Sequence, residues 1–132
     1  MLSPFIINDK NLFLDRFPIS QVNRSLQAWD AADEYLINYI TEQVLVKKNS
    51  SILIFNDTFG ALTTNLSIDG NPVYCVNDSL LSEQGIKHNL EQNHLSTGNV
   101  HYLTSLEPLP SNIDLVVYKI PKSKSLLNYQ LL

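Results

Sequence analysis

The sequence is poor in cross-links and in positive charge. Its single cysteine, Cys75, excludes an internal disulfide. Stability must therefore come from a hydrophobic core, which 132 residues are enough to build. One lone thiol also fits a reducing compartment. Nine Lys and Arg stand against 13 Asp and Glu, for a formal net charge of −4. A free-standing nucleic-acid binder usually carries a basic face, so the overall balance speaks against that class. No apolar run approaches the ~20 residues of a membrane-spanning helix. The opening "MLSPFIINDKNLFLDRFP" lacks the basic stretch and apolar run of a signal peptide. The expectation is a cytoplasmic protein with no membrane partner. Metal-ligand patterns are sparse too. Glu91 and His94 make one E-x-x-H, where a di-iron bundle needs two such pairs and further carboxylates. His88 and His101 have no partner at ligand spacing, so no metal is expected.

What is present is an alternation. Two short apolar runs flank Asn8-Asp9-Lys10-Asn11 and suggest a hairpin or extended arm over residues 1–18. Leu26, Trp29, Ala32, Leu36, Ile40 and Val44 recur at helical steps, which predicts one buried helix face with Asp30, Asp33 and Glu34 on the others. Trp29 would anchor that helix. "SILIFND", "PVYCVND", "NVHYLTS" and "IDLVVYKI" read as strands. The continuous apolar runs among them suit strands buried on both faces. "TFGALTTNLSI" reads as a turn into a short helix, and "SLLSEQGIKHNLEQNHL" as a longer one burying Leu80, Leu81, Ile86, Leu90 and Leu95. "KSLLNYQLL" looks like the start of another. Such alternation predicts an α/β fold with a mostly parallel sheet. Cys75, inside an apolar strand, is expected to be an inert core thiol.

In an open parallel sheet, ligands sit beyond the carboxyl ends of the strands. Asn56-Asp57-Thr58-Phe59-Gly60-Ala61 follows the first strand, Asn77-Asp78-Ser79 the second and Lys119-Ile120-Pro121-Lys122 the fourth. This ordering resembles the Rossmann-like S-adenosylmethionine-dependent methyltransferases. In that class a D-x-G-x-G turn ends the first strand, and an acid ending the second holds the cofactor ribose. By that resemblance Asp57, Gly60 and Asp78 are the candidate cofactor residues. Phe59 and Ala61 stand where the motif wants glycine, so the site reads as vestigial. An ordinary reading is also open: Gly60 serving the tight turn, and Asp78 or Ser79 capping a helix. After the fourth strand, amino-methylating members carry [N/D]-P-P-[F/Y/W]. Here "KIPK" keeps one proline and neither the amine acceptor nor the aromatic, so no catalytic residue is expected.

A narrower likeness covers the chain from about Arg16 onward. "RFP", "LQAWDAADEYL", "ILIFNDTFGALT" and "YKIPKSKSLL" resemble the N-terminal half of bacterial ribosomal RNA guanine-N2 methyltransferases, the large-subunit (23S) enzymes above the small-subunit ones. The resemblance implies two methyltransferase-like domains in tandem. The C-terminal one binds S-adenosylmethionine and carries the chemistry. The N-terminal one has lost both and serves RNA binding or support. This chain would then be a fragment of a longer protein, with residues 19–132 a degenerate methyltransferase-like domain. The fold implied is three-layered, with sheet order 3-2-1-4, cut before its last strands. Its partners would be ribosomal RNA and the C-terminal catalytic domain. It would bind no cofactor itself.

Lys119, Lys122 and Lys124 cluster with no acid between them. They are candidate RNA-phosphate contacts, which add affinity without sequence specificity; a solvated loop is the ordinary alternative. Two other functions remain open at this level. A working cofactor-binding domain would need Asp57, Gly60 and Asp78 around an open pocket, with Phe59 turned away. A structural or homodimerisation domain would use the exposed edge of the sheet.

Overall fold

The computed structural model describes residues 3–7, 10–14, 29–47 and 49–120. The chain opens with a hairpin, β1 (Ser3–Ile7) and β2 (Lys10–Leu14), paired antiparallel with Ser3 opposite Leu14. Helix α1 (Ala31–Glu42) follows. Then come β3 (Ile52–Phe55), α2 (Ala61–Ser67), β4 (Val73–Val76), α3 (Leu80–Gln92), β5 (Val100–Leu103) and β6 (Leu115–Tyr118). Strands β3 to β6 form one parallel sheet in the order β5-β4-β3-β6. Counted from the first sheet strand this is 3-2-1-4, as expected.

One face of the sheet makes the core. Ile52 and Ile54 of β3 lie beside Val73 and Cys75 of β4 and beside Leu115 and Val117 of β6. Onto this face come Ile37 and Ile40 of α1, Ala61, Leu62 and Leu66 of α2, Ile86 and Leu90 of α3, and Leu14 of the hairpin. The three helices among the described residues thus form one layer. The second helical layer of a three-layer fold is not among the described residues. The opposite sheet face is more open and aromatic. Phe55 meets Tyr118 with ring centroids 5.5 Å apart, and Tyr74 stacks on His101 at 4.8 Å.

The hairpin belongs to this body. Leu12 and Leu14 are buried, and each such side chain contributes roughly 1.5–3 kcal/mol through burial. Asn93 and Gln92 at the end of α3 donate to the Phe13 carbonyl at 2.7 and 2.9 Å, and the Phe13 N–H donates to Asn93 Oδ1 at 2.7 Å. Among the described residues no helix is long and apolar enough to cross a membrane.

Two helix faces differ from expectation. On α1 the buried stripe is Asp33, Ile37 and Ile40, with Leu36 beside it; Ala32 and Val44 are exposed. Trp29 precedes the helix, since Asp30 is its N-cap. It still packs on the core, and its Nε1 donates to Glu34 Oε1 at 3.1 Å. On α3, Gly85, Ile86, Asn89 and Leu90 are buried while Leu80 and Leu81 face solvent. Both leucines lie in the first turn, before the helix settles onto the sheet. The expected helix over "KSLLNYQLL", with Lys122 and Lys124, lies outside the described residues.

Candidate functional site

Strand order sets the place to look. From β3 the chain moves outward to β4 and β5, then returns to the other side of β3 as β6. Strand order thus reverses at β3, and ligands of open parallel sheets lie beyond the carboxyl ends of the strands at such a reversal. Asn56 and Asp57 follow β3 there, and Lys119 follows β6.

Asn56 ties the two strand ends together. It adopts a left-handed backbone, φ 67°, which asparagine tolerates better than most residues. Its N–H donates to the Val76 carbonyl at 3.1 Å, and its Nδ2 donates to the Lys119 carbonyl at 2.8 Å. Lys119 in turn donates its N–H to the Phe55 carbonyl at 3.2 Å.

Asp57 points inward. It is 1% exposed. Its Oδ2 accepts from Thr63 N–H at 2.8 Å and from Thr63 Oγ1 at 2.7 Å, and its Oδ1 from Leu62 N–H at 3.5 Å. These are N–H groups of the first turn of α2, whose N-cap, Gly60, has no side chain to offer them. Burial raises the Asp57 pKa, against the Thr63 hydrogen bonds and the Lys119 charge, which lower it. Gly60 has φ 96°, and a Cβ there would come within 3.3 Å of Ile86 Cα on α3. Glycine is required here both by conformation and by close approach. Phe59 packs against the core, and its carbonyl accepts from Asn89 Nδ2 at 2.7 Å.

Asp78 lies at the end of β4 and is exposed. Its carboxylate accepts from Ser105 N–H at 2.8 Å and from Ser105 Oγ at 2.7 Å. Ser79 is the N-cap of α3, accepting from Ser82 N–H at 3.3 Å. Asn77 donates from Nδ2 to the Asp57 carbonyl at 2.8 Å, linking the two turns.

Lys119 reaches across the reversal to the start of α1. Its Nζ lies 3.0 and 3.2 Å from the two carboxylate oxygens of Asp33, and 3.1 Å from Asp30 Oδ2. Asp30 and Asp33 are themselves a capping box: Asp33 N–H donates to Asp30 Oδ1 at 3.1 Å and Asp30 N–H to Asp33 Oδ2 at 3.0 Å. The Lys119 side chain is 14% exposed and that of Asp33 2%. Burial, then the nearby Asp57 charge, push Asp33 up to about 6 despite Lys119. Burial works against the Lys119 ammonium, but Asp33 and Asp30 outweigh it and raise its pKa. For Asp30, exposed to solvent, desolvation is outweighed by the Asp33 N–H and Lys119, and its pKa falls.

Sequence reasoning singled out Asp57, Gly60, Asp78 and Lys119, and the structure brings Asp57 and Lys119 to one reversal point. Asp78 stands apart beside Ser105. Asp33, Asn56 and Asn89 were missed. Asn89 had a faint signal, a polar residue on the stripe of Ile86 and Leu90. Asp33 had none, because its partner lies 86 residues away. A cavity of about 250 Å3 opens at the amino end of the sheet, lined by Lys10, Ile40, Thr41, Asn65, Asp69 and Asn71 among others. None of the expected site residues borders it. Among the described residues no three His, Cys, Asp or Glu side chains could hold a metal ion.

Solved methyltransferase structures share this architecture. The T. thermophilus 16S rRNA N2 G1207 methyltransferase (RsmC), in complex with AdoMet and guanosine, superposes with a TM-score of 0.64 at 20% identity, over 94% of this chain and 33% of that one. The Pyrococcus abyssi tRNA (uracil-54, C5)-methyltransferase gives a TM-score of 0.60 at 16% identity, over 92% of this chain and 28% of that one. At such identities the likeness is one of fold, a Rossmann-like methyltransferase sheet flanked by helices. In sequence, the chain is 58% identical to the ribosomal RNA large subunit methyltransferase G of Colwellia psychrerythraea, over the whole chain and 34% of that protein. It is 46% identical to the protein of the same name in Pseudoalteromonas translucida, over 95% of this chain and 32% of that one. The chain thus spans about a third of the length of these curated relatives. The family model described as the RLMG N-terminal domain matches residues 3–132, and the chain belongs to that family.

Proposed function

We propose that this chain is the N-terminal, non-catalytic domain of a cytoplasmic, two-domain methyltransferase that uses S-adenosylmethionine to modify guanine N2 in 23S rRNA. Its work is to engage RNA and to pack against the C-terminal catalytic domain of the same polypeptide. The names of its relatives support the enzyme class.

The observation that carries the non-catalytic reading is the state of the crevice. A cofactor there would need free acceptors for its ribose hydroxyls and its ammonium. Asp57 is buried and turned toward the first turn of α2, Asp78 is held by Ser105, and the acids nearest the reversal point are held by Lys119. Phe59 and the absence of an [N/D]-P-P-aromatic sequence after β6 agree with this. The residues present do not fit the cofactor, and no step of methyl transfer is assigned to them. Of the three clustered lysines, Lys119 spends its charge inside the protein, which leaves Lys122 and Lys124 as the candidates for phosphate contacts.

The test is isothermal titration of the chain with S-adenosylmethionine, at concentrations that would reveal a millimolar site. No heat is expected. In the full-length parent, charge reversal at Lys122 and Lys124 should weaken 23S rRNA binding and flatten its salt dependence. Saturable cofactor binding that disappears with Asp78→Ala would overturn this reading in favour of a functional cofactor-binding domain.

A further inference from the structure

The cavity at the amino end of the sheet lies away from the strand reversal, and hydrogen-bond donors gather on it. It encloses about 250 Å3. Asn65 of α2 borders it and is 2% exposed. The Asn65 Nδ2 is buried and has no hydrogen-bond partner among the described residues. Buried donors in native folds are nearly always met, so an orphan beside a cavity points to something that enters the cavity. Asn71 is buried on the same wall. Its Oδ1 already accepts from the Asn49 N–H at 3.1 Å, so what it has left is chiefly its Nδ2 donor. Lys10 of β2 adds an ammonium. Its Nζ donates to the Asn65 carbonyl at 3.1 Å, which leaves two of its three N–H groups. Asp69 stands 3.9 Å from that Nζ, beyond hydrogen-bond reach, and its side chain is 78% exposed.

The other wall is apolar, with Ile40, Val44 and Leu66. Val44 ends α1 with φ 51°, while the next N–H, of Leu45, donates back to the Ile40 carbonyl at 3.1 Å. Glycine is the usual residue in such a helix ending, and a β-branched one is strained there. Valine gives the cavity an apolar lip that glycine could not.

We propose that this cavity binds a small monocarboxylate with an apolar tail, its carboxylate accepting from Lys10, Asn65 and Asn71 and its tail lying on Ile40, Val44 and Leu66. Carboxylate is the class favoured because it accepts from several donors at once and is strengthened by the ammonium. Asp69 is its competitor for Lys10. The inference does not rest on the RNA-methyltransferase reading, since none of the residues near the reversal point takes part in it.

The probe is isovalerate, titrated into the chain and followed by the side-chain amide signals of Asn65 and Asn71 in nitrogen–proton correlation spectra. Both signals should shift saturably. Isovaleramide, of the same shape without the charge, and acetate, with the charge but no tail, should bind far more weakly. Lys10→Met should weaken isovalerate about tenfold, the share of one charge-assisted hydrogen bond. Asp69→Asn, at an exposed position, should fold as wild type and tighten isovalerate about threefold by removing the competing charge. No saturable shift would mean that the cavity holds water only and would overturn the proposal. So would equal binding of isovalerate and isovaleramide, or an affinity that neither variant moves.

Discussion

The Thr63 hydroxyl donates to Asp57 at 2.7 Å and lies 3.2 Å from Cys75 Sγ, so one buried side chain joins the turn after β3, helix α2 and strand β4. All three residues are nearly inaccessible to solvent. A polar group at such depth is stabilising only while its partners stay in place. Asp57→Ala would strand the first-turn N–H groups of α2. It should cost about 2 kcal/mol, read from urea unfolding. Thr63→Val keeps the shape and leaves Asp57 its backbone donors, so it should cost about half as much. Equal losses would show that the hydroxyl, not the backbone, is the main partner.

The acids around Lys119 give the fold a pH dependence. The pKa of Asp33 is raised from 3.8 to about 6 by burial. The folded state therefore binds this proton more tightly than the unfolded chain does. Its contribution is most favourable below the unfolded pKa, is lost as pH rises from about 4 to about 6, and is constant above that. Asp30, with a lowered pKa, acts in the opposite sense at lower pH. Asp33→Asn should thus be more destabilising at pH 4 than at pH 7, with a gap of about 1–3 kcal/mol. Denaturant midpoints at the two pH values measure it. A gap of the opposite sign would mean that Lys119 outweighs burial at Asp33.

Two glycines separate conformation from contact. Gly60 (φ 96°) faces Ile86 at close range, whereas Gly70 (φ 87°) has open space where a Cβ would sit. Gly70→Ala should cost about 1 kcal/mol for its left-handed backbone alone. Gly60→Ala should cost that and about 1–2 kcal/mol more, because α3 must give way. Thermal denaturation of the two variants reads the difference directly.

Cys75 should be chemically silent. It is 2% exposed, and burial, with the Asp57 and Glu83 charges and against the Thr63 hydrogen bond, pushes its thiol up to about 12. Thiolate is the reactive form. Native protein should therefore resist iodoacetamide at pH 8, and labelling should appear only as denaturant opens the fold. Rapid labelling under native conditions would show that β4 opens locally.

Much of the architecture was legible in the chain. The apolar runs "ILIF", "VYCV" and "LVVY" became parallel strands; the first two are largely buried, as such runs suggest, while in β6 Val117 is buried and Val116 is exposed among the described residues. Asp78 or Ser79 reads as a helix cap, and Ser79 is the one that caps. Helix α1 was legible as a helix but not in its facing. Each residue turns a helix by about 100°, so stripes through Ala32 and through Asp33 fit the sequence almost equally well. The deciding contact was not local.

The order and kind of the elements follow from the chain alone, since hydrophobic period and turn chemistry act over a few residues. The chain also shows that the residues after β6 lack an amine acceptor and aromatic. The side-chain pairing at the strand reversal needed the folded chain. Asp33 is buried rather than solvated because the reversal of strand order brings Lys119 to it from 86 residues away. Asp57 enters the core on local donors of α2, five and six residues away, whereas Asp33 enters with a distant cation, and no local pattern encodes that pairing.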